Sequence, residues 1–289
     1  MGGKSPERGA FMMTRTSSNR AAGSTAALRR PILALSLVAI VAVAGEAAAQ
    51  EETPVNTAPI PGLLAAKQAV FGIFGGPKTP EDGMEKGKIA EADFVFYSLE
   101  TGPFDLERMR AYAKGMAEGA GERGAQPLAL RIPPVGEDEA GARERLKAGV
   151  EAGARLIVVP HVRHARDAAI AVDAVGDRLY PRNRRGDVVL MLIVEDREGV
   201  ANAKEIAKTP GVSVVFAGPG DLNRAYQRDA AAVENAIQTI LAACKEAGVP
   251  AGITAGAADI AERLKQGFSV YIVQRPDALT AGREAAGRR

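Results

Sequence analysis

The chain has 289 residues, 46% hydrophobic and 25% charged, a balance suited to one large α/β barrel or two small domains. One cysteine, Cys244, and two histidines, His161 and His164, exclude a disulfide framework, a cysteine-based zinc site and a histidine-rich metal centre. Six of the 37 basic and two of the 35 acidic residues fall in 1–49, so the rest carries a formal charge of −2 and offers no bulk attraction to nucleic acid or anionic lipid.

The first expected element is an export signal. Arg15, Arg20, Arg29 and Arg30 precede the apolar run PILALSLVAIVAVA at 31–44. That run has the length of a signal-peptide core and falls short of the ~20 residues of a spanning helix. Ala47-Ala48-Ala49 satisfies the small-x-small rule, so cleavage is expected after Ala49. The mature protein would then be exported, in the periplasm, with no membrane segment; an uncleaved anchor is the alternative. Residues 50–61, QEETPVNTAPIP, read as a linker, and 62–289 as one domain.

From there a rhythm of strand and helix begins. The apolar runs are AVFGIF (69–74), DFVFYSL (93–99), PLALRI (127–132) and RLIVVPH (155–161), then DVVLMLIVE (187–195), VSVVFAG (212–218), PAGIT (250–254) and FSVYIV (268–273). Helical stretches rich in Ala, Glu and Lys separate them. Strands that are continuously apolar, and not alternating, suit a parallel sheet buried on both faces. Eight of them, each followed by a helix, predict a (β/α)8 TIM barrel. A doubly wound sheet would show a phosphate-binding glycine fingerprint, and GIFGGPKTPEDG is not one. The tract YPRNRRGD reads as a solvated loop, and Cys244 as a small buried residue.

In a parallel barrel the chemistry sits where the strands end. Glu195 ends MLIVE, and Asp221 follows FAGPG one strand later, so two carboxylates could share a divalent ion. The structural alternatives are an ion pair of Glu195 with Arg197 and a helix N-cap role for Asp221. Arg131 emerges from PLALR and could pin a substrate carboxylate or carbonyl, or simply balance Glu100 or Glu195.

The stretch VEDREGVANAKEIAKTPGVSVVFAGPGDL, with DFVFYSLETGP, LRIPP and LIVVPHV, resembles the HpcH/HpaI aldolase family, metal-dependent class II aldolases similar to the citrate lyase β chain. The resemblance spans nearly all of the chain beyond residue 70. It implies a (β/α)8 barrel, a bound Mg²⁺ or Mn²⁺, and a pyruvate-like 2-keto acid held on the ion as its enolate. Glu195 and Asp221 match the family's metal ligands and Arg131 its substrate-orienting arginine. Phe74 stands at the aromatic wall position, often Trp. Backbone amides at Gly220 and Asp221 match those that hold the keto acid's carboxylate, in the glycine turn that begins at Gly218. The resemblance also implies a homo-oligomer, a trimer or hexamer.

One motif departs from the family. Where relatives read Asp-Gly-Glu-His-x-Pro, this chain has Ser98-Leu99-Glu100-Thr101-Gly102-Pro103, so the acid/base His and its Asp partner are Thr101 and Ser98. A hydroxyl does not exchange protons near neutral pH without a base beside it. His161, at the end of the fourth strand, is the expected replacement, with Glu100 as another candidate; the alternative is a surface histidine. The expected function is therefore a metal-dependent carbon–carbon lyase, an aldolase or decarboxylase. The rival is an exported protein that binds a small keto acid without turning it over.

Overall fold

The computed structural model describes residues 59–288. The expected export signal and residues 50–58 of the expected linker lie outside them.

Nine strands follow in chain order: β1 (Val70–Phe74), β2 (Phe94–Ser98), β3 (Leu128–Arg131), β4 (Leu156–Val159) and β5 (Leu179–Tyr180). Then come β6 (Val188–Val194), β7 (Val214–Ala217), β8 (Ala251–Thr254) and β9 (Val270–Val273). All pairings are parallel. β4 pairs with β6 and β1 with β9, so eight strands close into a barrel, and the two-residue β5 is an addition to the start of β6. The eight expected runs are the eight barrel strands.

The helices are α1 (Pro59–Ala65), α2 (Pro80–Gly87), α3 (Leu106–Ala120), α4 (Glu139–Glu151), α5 (Ala165–Val175) and α6 (Arg197–Ala201). After them come α7 (Ala203–Ala207), α8 (Pro219–Ala225), α9 (Ala230–Ala247), α10 (Ile260–Gln266) and α11 (Pro276–Ala285). Three βα loops and the turn between α8 and α9 end on an aspartate N-cap, Asp105, Asp138, Asp196 and Asp229, each accepting from backbone amides of the helix it opens. Among the described residues no helix is long and apolar enough to cross a membrane.

The strands read as unbroken apolar runs because both of their faces are buried. Val70, Phe94, Phe96, Val158, Met191 and Phe216 fill the barrel, while Phe71, Ile73, Val95, Tyr97, Ile157 and Leu192 pack outward onto the helices. With no tryptophan, phenylalanine rings fill the lumen against glycine: a Cβ on Gly72 would lie 2.1 Å from the Phe94 ring. Cys244 is buried in α9, as expected, and burial pushes its thiol up to about 12.

The linker boundary moves. Residues 59–61 are the first turn of α1, not linker, and Ile60 and Leu64 join the lumen cluster with Val70 and Val189. Proline suits a helix's first turn, and the N-terminal end of a barrel needs an apolar cover. At that same end Asp93 stands half-buried before β2. Its Oδ2 accepts from the Phe71 amide at 2.8 Å and Arg288 Nη1 at 2.6 Å, and its Oδ1 from Arg288 Nη2 at 2.8 Å. Arg283 of α11 stands 3.5 Å away, so the C-terminal helix is tied to the barrel floor through one acid.

Candidate active site

β6 is seven consecutive buried residues, and it delivers Glu195 into the barrel mouth with only 4% of its surface exposed. The next residue turns the other way: Asp196 caps α6 and accepts from Arg163 Nε at 2.6 Å. Glu195 Oε1 accepts the backbone N–H of His161 at 3.0 Å. His161 holds a left-handed φ of 52°, an unfavourable conformation for a non-glycine residue, and this aims its amide at the carboxylate. Its ring reaches both acids, with Nδ1 3.3 Å from Glu195 Oε1 and Nε2 3.5 Å from Glu100 Oε1.

Arg131, the last residue of β3, pairs through Nη2 with Glu100 Oε2 at 2.8 Å and donates from Nε to Ser98 Oγ at 2.9 Å. Its guanidinium also lies 5.3 Å from the centre of the Phe96 ring. The charge-balancing alternative for Arg131 is thus real, and it coexists with a place on the cavity wall. Ser98 is the partner that the sequence did not reveal. The register Ser98↔Arg131 across β2 and β3 sets the pair, and a strand-end serine carries no signal of it.

β7 runs straight into α8, whose N-cap is Gly218. Asp221 is therefore inside the first turn and is not the N-cap; its carboxylate is hydrogen-bonded to Arg224. Arg197 does not pair with Glu195 either, because its Nε donates to the Ala225 carbonyl at 2.9 Å and its guanidinium stacks 4.6 Å from the Tyr226 ring centre. Gly218 makes room for Glu195: a Cβ there would lie 2.6 Å from Glu195 Oε2. At Gly220 a Cβ would meet nothing within 4 Å, so that backbone faces open space.

Phe74, Phe96, Arg131, Ile193, Glu195, Phe216, Gly218, Gly220, Asp221, Thr254 and Gln274 surround a cavity of about 250 Å³. That volume suits a small molecule. Phe74, Arg131, Glu195, Gly218, Gly220 and Asp221 are the expected site residues that line it; His161 and Glu100 do not. His161 touches Glu195 from the side of a second cavity of about 380 Å³, between Glu137, Arg163, His164 and Glu198.

The electrostatics are unbalanced. Burial pushes the Glu195 carboxyl up to about 8, and Asp221 and Glu100 push the same way against the His161 amide and Arg131. Ligand atoms of Glu100, His161 and Glu195 lie within 4.8 Å of one another, and Asp221 shares the cavity of about 250 Å³ with Glu195. A buried acid crowded by other acids is a place that a hard divalent cation could balance. The carboxylate-rich donor set fits Mg²⁺ or Mn²⁺ better than zinc.

The geometry agrees with similarity to known proteins. A hydroxypyruvate/pyruvate aldolase of Pseudomonas aeruginosa is 28% identical over 257 residues, covering 78% of this chain and 90% of that protein. A 2-dehydro-3,6-dideoxy-6-sulfogluconate aldolase of Pseudomonas putida is 30% identical over 165 residues, 46% of this chain and 62% of that enzyme's length. The crystal structure of an HpcH/HpaI aldolase/citrate lyase family protein from Burkholderia cenocepacia superposes with a TM-score of 0.64 at 23% identity, covering 80% of this chain and 98% of that one. The CitE protein of Mycobacterium tuberculosis, solved with magnesium and pyruvate, shares the fold at a TM-score of 0.54 and 18% identity, over 76% of this chain and 91% of that one. The sequence profile of the HpcH/HpaI aldolase/citrate lyase family matches residues 74–271, a span that runs from Phe74 on the cavity wall through Arg131, Glu195 and Asp221, and this chain belongs to that family.

Proposed function

We propose that the protein is a divalent-metal-dependent carbon–carbon lyase that cleaves or decarboxylates a small 2-oxo acid. The observation that carries this reading is Glu195, a buried carboxyl raised to about 8 beside Asp221 and Glu100 on a cavity of about 250 Å³. The aldolase relatives and the magnesium–pyruvate complex of the related fold support it.

Glu195 and Asp221 would hold Mg²⁺ or Mn²⁺, with Glu100 and His161 beside them. The ion, when bound, supplies Lewis-acid stabilisation of the charge that develops on a 2-oxo acid as the bond breaks. Arg131, fixed by Ser98 and Glu100, offers its remaining N–H groups to the same substrate oxygens. The amides of Gly220 and Asp221, in the first turn of α8, donate to the substrate carboxylate. Phe74 and Phe96, packed edge to face at 5.0 Å, wall off water from the reacting carbon.

His161 is the proton-exchanging group in this reading. Ser98 is engaged by Arg131, and Thr101 is exposed. An imidazole serves as general acid and base, a role that neither hydroxyl fills without a base beside it. Export belongs to the same proposal: the arginines and the apolar run 31–44 support a periplasmic enzyme fed from outside the cell. Cytosolic fractionation of protein retaining residues 1–49 would contradict that part.

Calorimetric titration with oxalate, a planar mimic of the enol form of pyruvate, tests the site. Binding is expected only with Mg²⁺ or Mn²⁺ and is expected to vanish in Glu195→Gln. Metal-independent oxalate binding, or none, would remove the proposal, and metal-dependent binding with no turnover of any 2-oxo acid would leave a binding protein.

A further inference from the structure

Glu195 presents its two oxygens to different sides of the barrel mouth. Oε2 faces the turn from β7 into α8, where a Cβ on Gly218 would lie 2.6 Å from it. Oε1 faces the loop after β4, 3.0 Å from the His161 amide and 3.3 Å from the ring Nδ1. Glu100 is divided in the same way: Oε2 meets Arg131 Nη2 at 2.8 Å, and Oε1 lies 3.5 Å from His161 Nε2. One imidazole thus stands between two carboxylate oxygens. Among the described residues, Glu100, His161 and Glu195 are the one group of three such ligands with donor atoms gathered within 4.8 Å, and Asp221 is outside it.

The two ring contacts cannot both be ordinary hydrogen bonds from a neutral ring. A neutral imidazole has a single N–H, so one of its nitrogens meets a carboxylate lone pair to lone pair. A cation on that nitrogen replaces the repulsion with attraction to both groups. The ion also has a way in. His161, with 33% of its side chain exposed, lines the cavity of about 380 Å³, apart from the cavity of about 250 Å³ that Asp221 lines. Four carboxylates and two arginines line the larger cavity, and both arginines are already paired, Arg163 with Asp196 at 2.6 Å and Arg166 with Glu139 at 2.7 Å. A surplus of carboxylates at that entrance draws cations.

We propose that Glu100 Oε1, one ring nitrogen of His161 and Glu195 Oε1 form a second cation site, separate from that of Glu195 and Asp221, which takes an imidazole-binding ion of the Zn²⁺ or Co²⁺ class. Glu195 and Asp221 offer oxygen alone, which suits a hard ion. One nitrogen with two carboxylate oxygens is a set that zinc accepts, with water in the fourth position. The donors draw together as the ion arrives, because bonds of about 2.0–2.2 Å need a tighter group than 4.8 Å. An ion on the ring takes the lone pair that proton exchange by His161 uses, so the second site is inhibitory. That consequence rests on the lyase reading of the Glu195 cavity; the site itself does not.

The test is a calorimetric titration of Zn²⁺ into the purified protein saturated with Mg²⁺. Outer partners of a metal ligand are worth about 10–100-fold in affinity, so removing a direct ligand, in His161→Gln or Glu100→Gln, is expected to weaken Zn²⁺ by at least about a hundredfold. His161→Gln keeps the amide that Glu195 accepts and is expected to retain Mg²⁺-dependent oxalate binding. Asp221→Asn is expected to do the reverse, losing oxalate and keeping Zn²⁺. Co²⁺ gives a reading that needs no variant: added to the Mg²⁺-loaded wild type, it should show a visible band stronger than that of aqueous Co²⁺, the mark of a low-coordinate site. Zn²⁺ that binds only by displacing Mg²⁺, or equally well to His161→Gln, would overturn the site. No Zn²⁺ binding would overturn it too, and would leave a proton to complete the ring. Deuterium exchange at the methyl group of pyruvate, followed with Mg²⁺, separates the readings. Exchange that Zn²⁺ stops supports inhibition, and exchange that continues with Zn²⁺ bound removes it. If Zn²⁺ binds while exchange and oxalate binding are both absent, the lyase reading and the inhibition fall and the site stands.

Discussion

Two acids, the half-buried Asp93 and the buried Glu195, sit at opposite ends of the barrel, and they are treated in opposite ways. Asp93, at the floor, receives a backbone amide and two arginines, Arg283 and Arg288. Glu195, at the mouth, receives one backbone amide and an imidazole, and it faces Asp221 and Glu100. A buried carboxylate with its own cations holds structure together, whereas one left among other acids keeps a place for a charge that arrives from outside. The floor is built to be finished by the chain and the mouth to be finished by a ligand.

The largest effect is expected at the floor. Arg288→Met leaves the half-buried Asp93 without its bidentate partner, and chemical denaturation is expected to show a loss of about 3 kcal/mol. Metal-dependent oxalate binding should survive in the folded protein. Loss of that binding with little change in stability would reverse the roles of the two ends.

Glu195→Gln should act in the other direction. A folded-state value of about 8, above the ordinary 4.5, means that ionising Glu195 works against folding. Its penalty is absent below pH 4.5, grows as pH rises through the interval, and is complete above about 8. Metal-free wild type should therefore lose stability between those limits, and Glu195→Gln should flatten the fall, gaining on the order of 1–3 kcal/mol at the alkaline end. Mg²⁺ is expected to raise the Tm of the wild type at pH 8 and not that of the variant. A variant less stable than wild type across the whole range would make Glu195 a structural acid like Asp93.

Gly218→Ala sharpens the contrast from the backbone side. The added methyl would meet Glu195 Oε2 and Cβ at 2.6 and 2.7 Å, so the carboxylate must shift. A stability loss of about 1–2 kcal/mol is expected, with weaker metal binding in the same titration. Unchanged metal affinity would show that the position of the carboxylate is not critical.

The smallest effect concerns His161. Glycine and alanine both keep the amide that Glu195 accepts, but only glycine relaxes the left-handed φ of 52°. His161→Gly is expected to be about 1 kcal/mol more stable than His161→Ala, and equal stability would mean the backbone holds no strain there.

Much of this was legible in the sequence for a physical reason. Parallel strands buried on both faces must be apolar throughout, so their ends show where a charge first appears, as at Arg131, Glu195 and Asp221. What sequence hides is register. The pairing Val194↔Ala217 places Gly218 against Glu195, and Ser98↔Arg131 gives the arginine its anchor; neither neighbour is close in sequence. The floor was hidden too, because the first three residues of α1, with two prolines, read as linker until the lumen that the helix plugs is known. Arg288 lies 195 residues from Asp93, beyond any local pattern.

The central claim is that the unpaired acid at the mouth works through a divalent ion on a 2-oxo acid. Pyruvate release from a panel of 4-hydroxy-2-oxo acids, followed with Mg²⁺, with a chelator, and in Glu195→Gln, tests it most directly. The account predicts release that needs the ion and falls at least about a hundredfold in the variant. Release that persists undiminished with the chelator or in Glu195→Gln would contradict it.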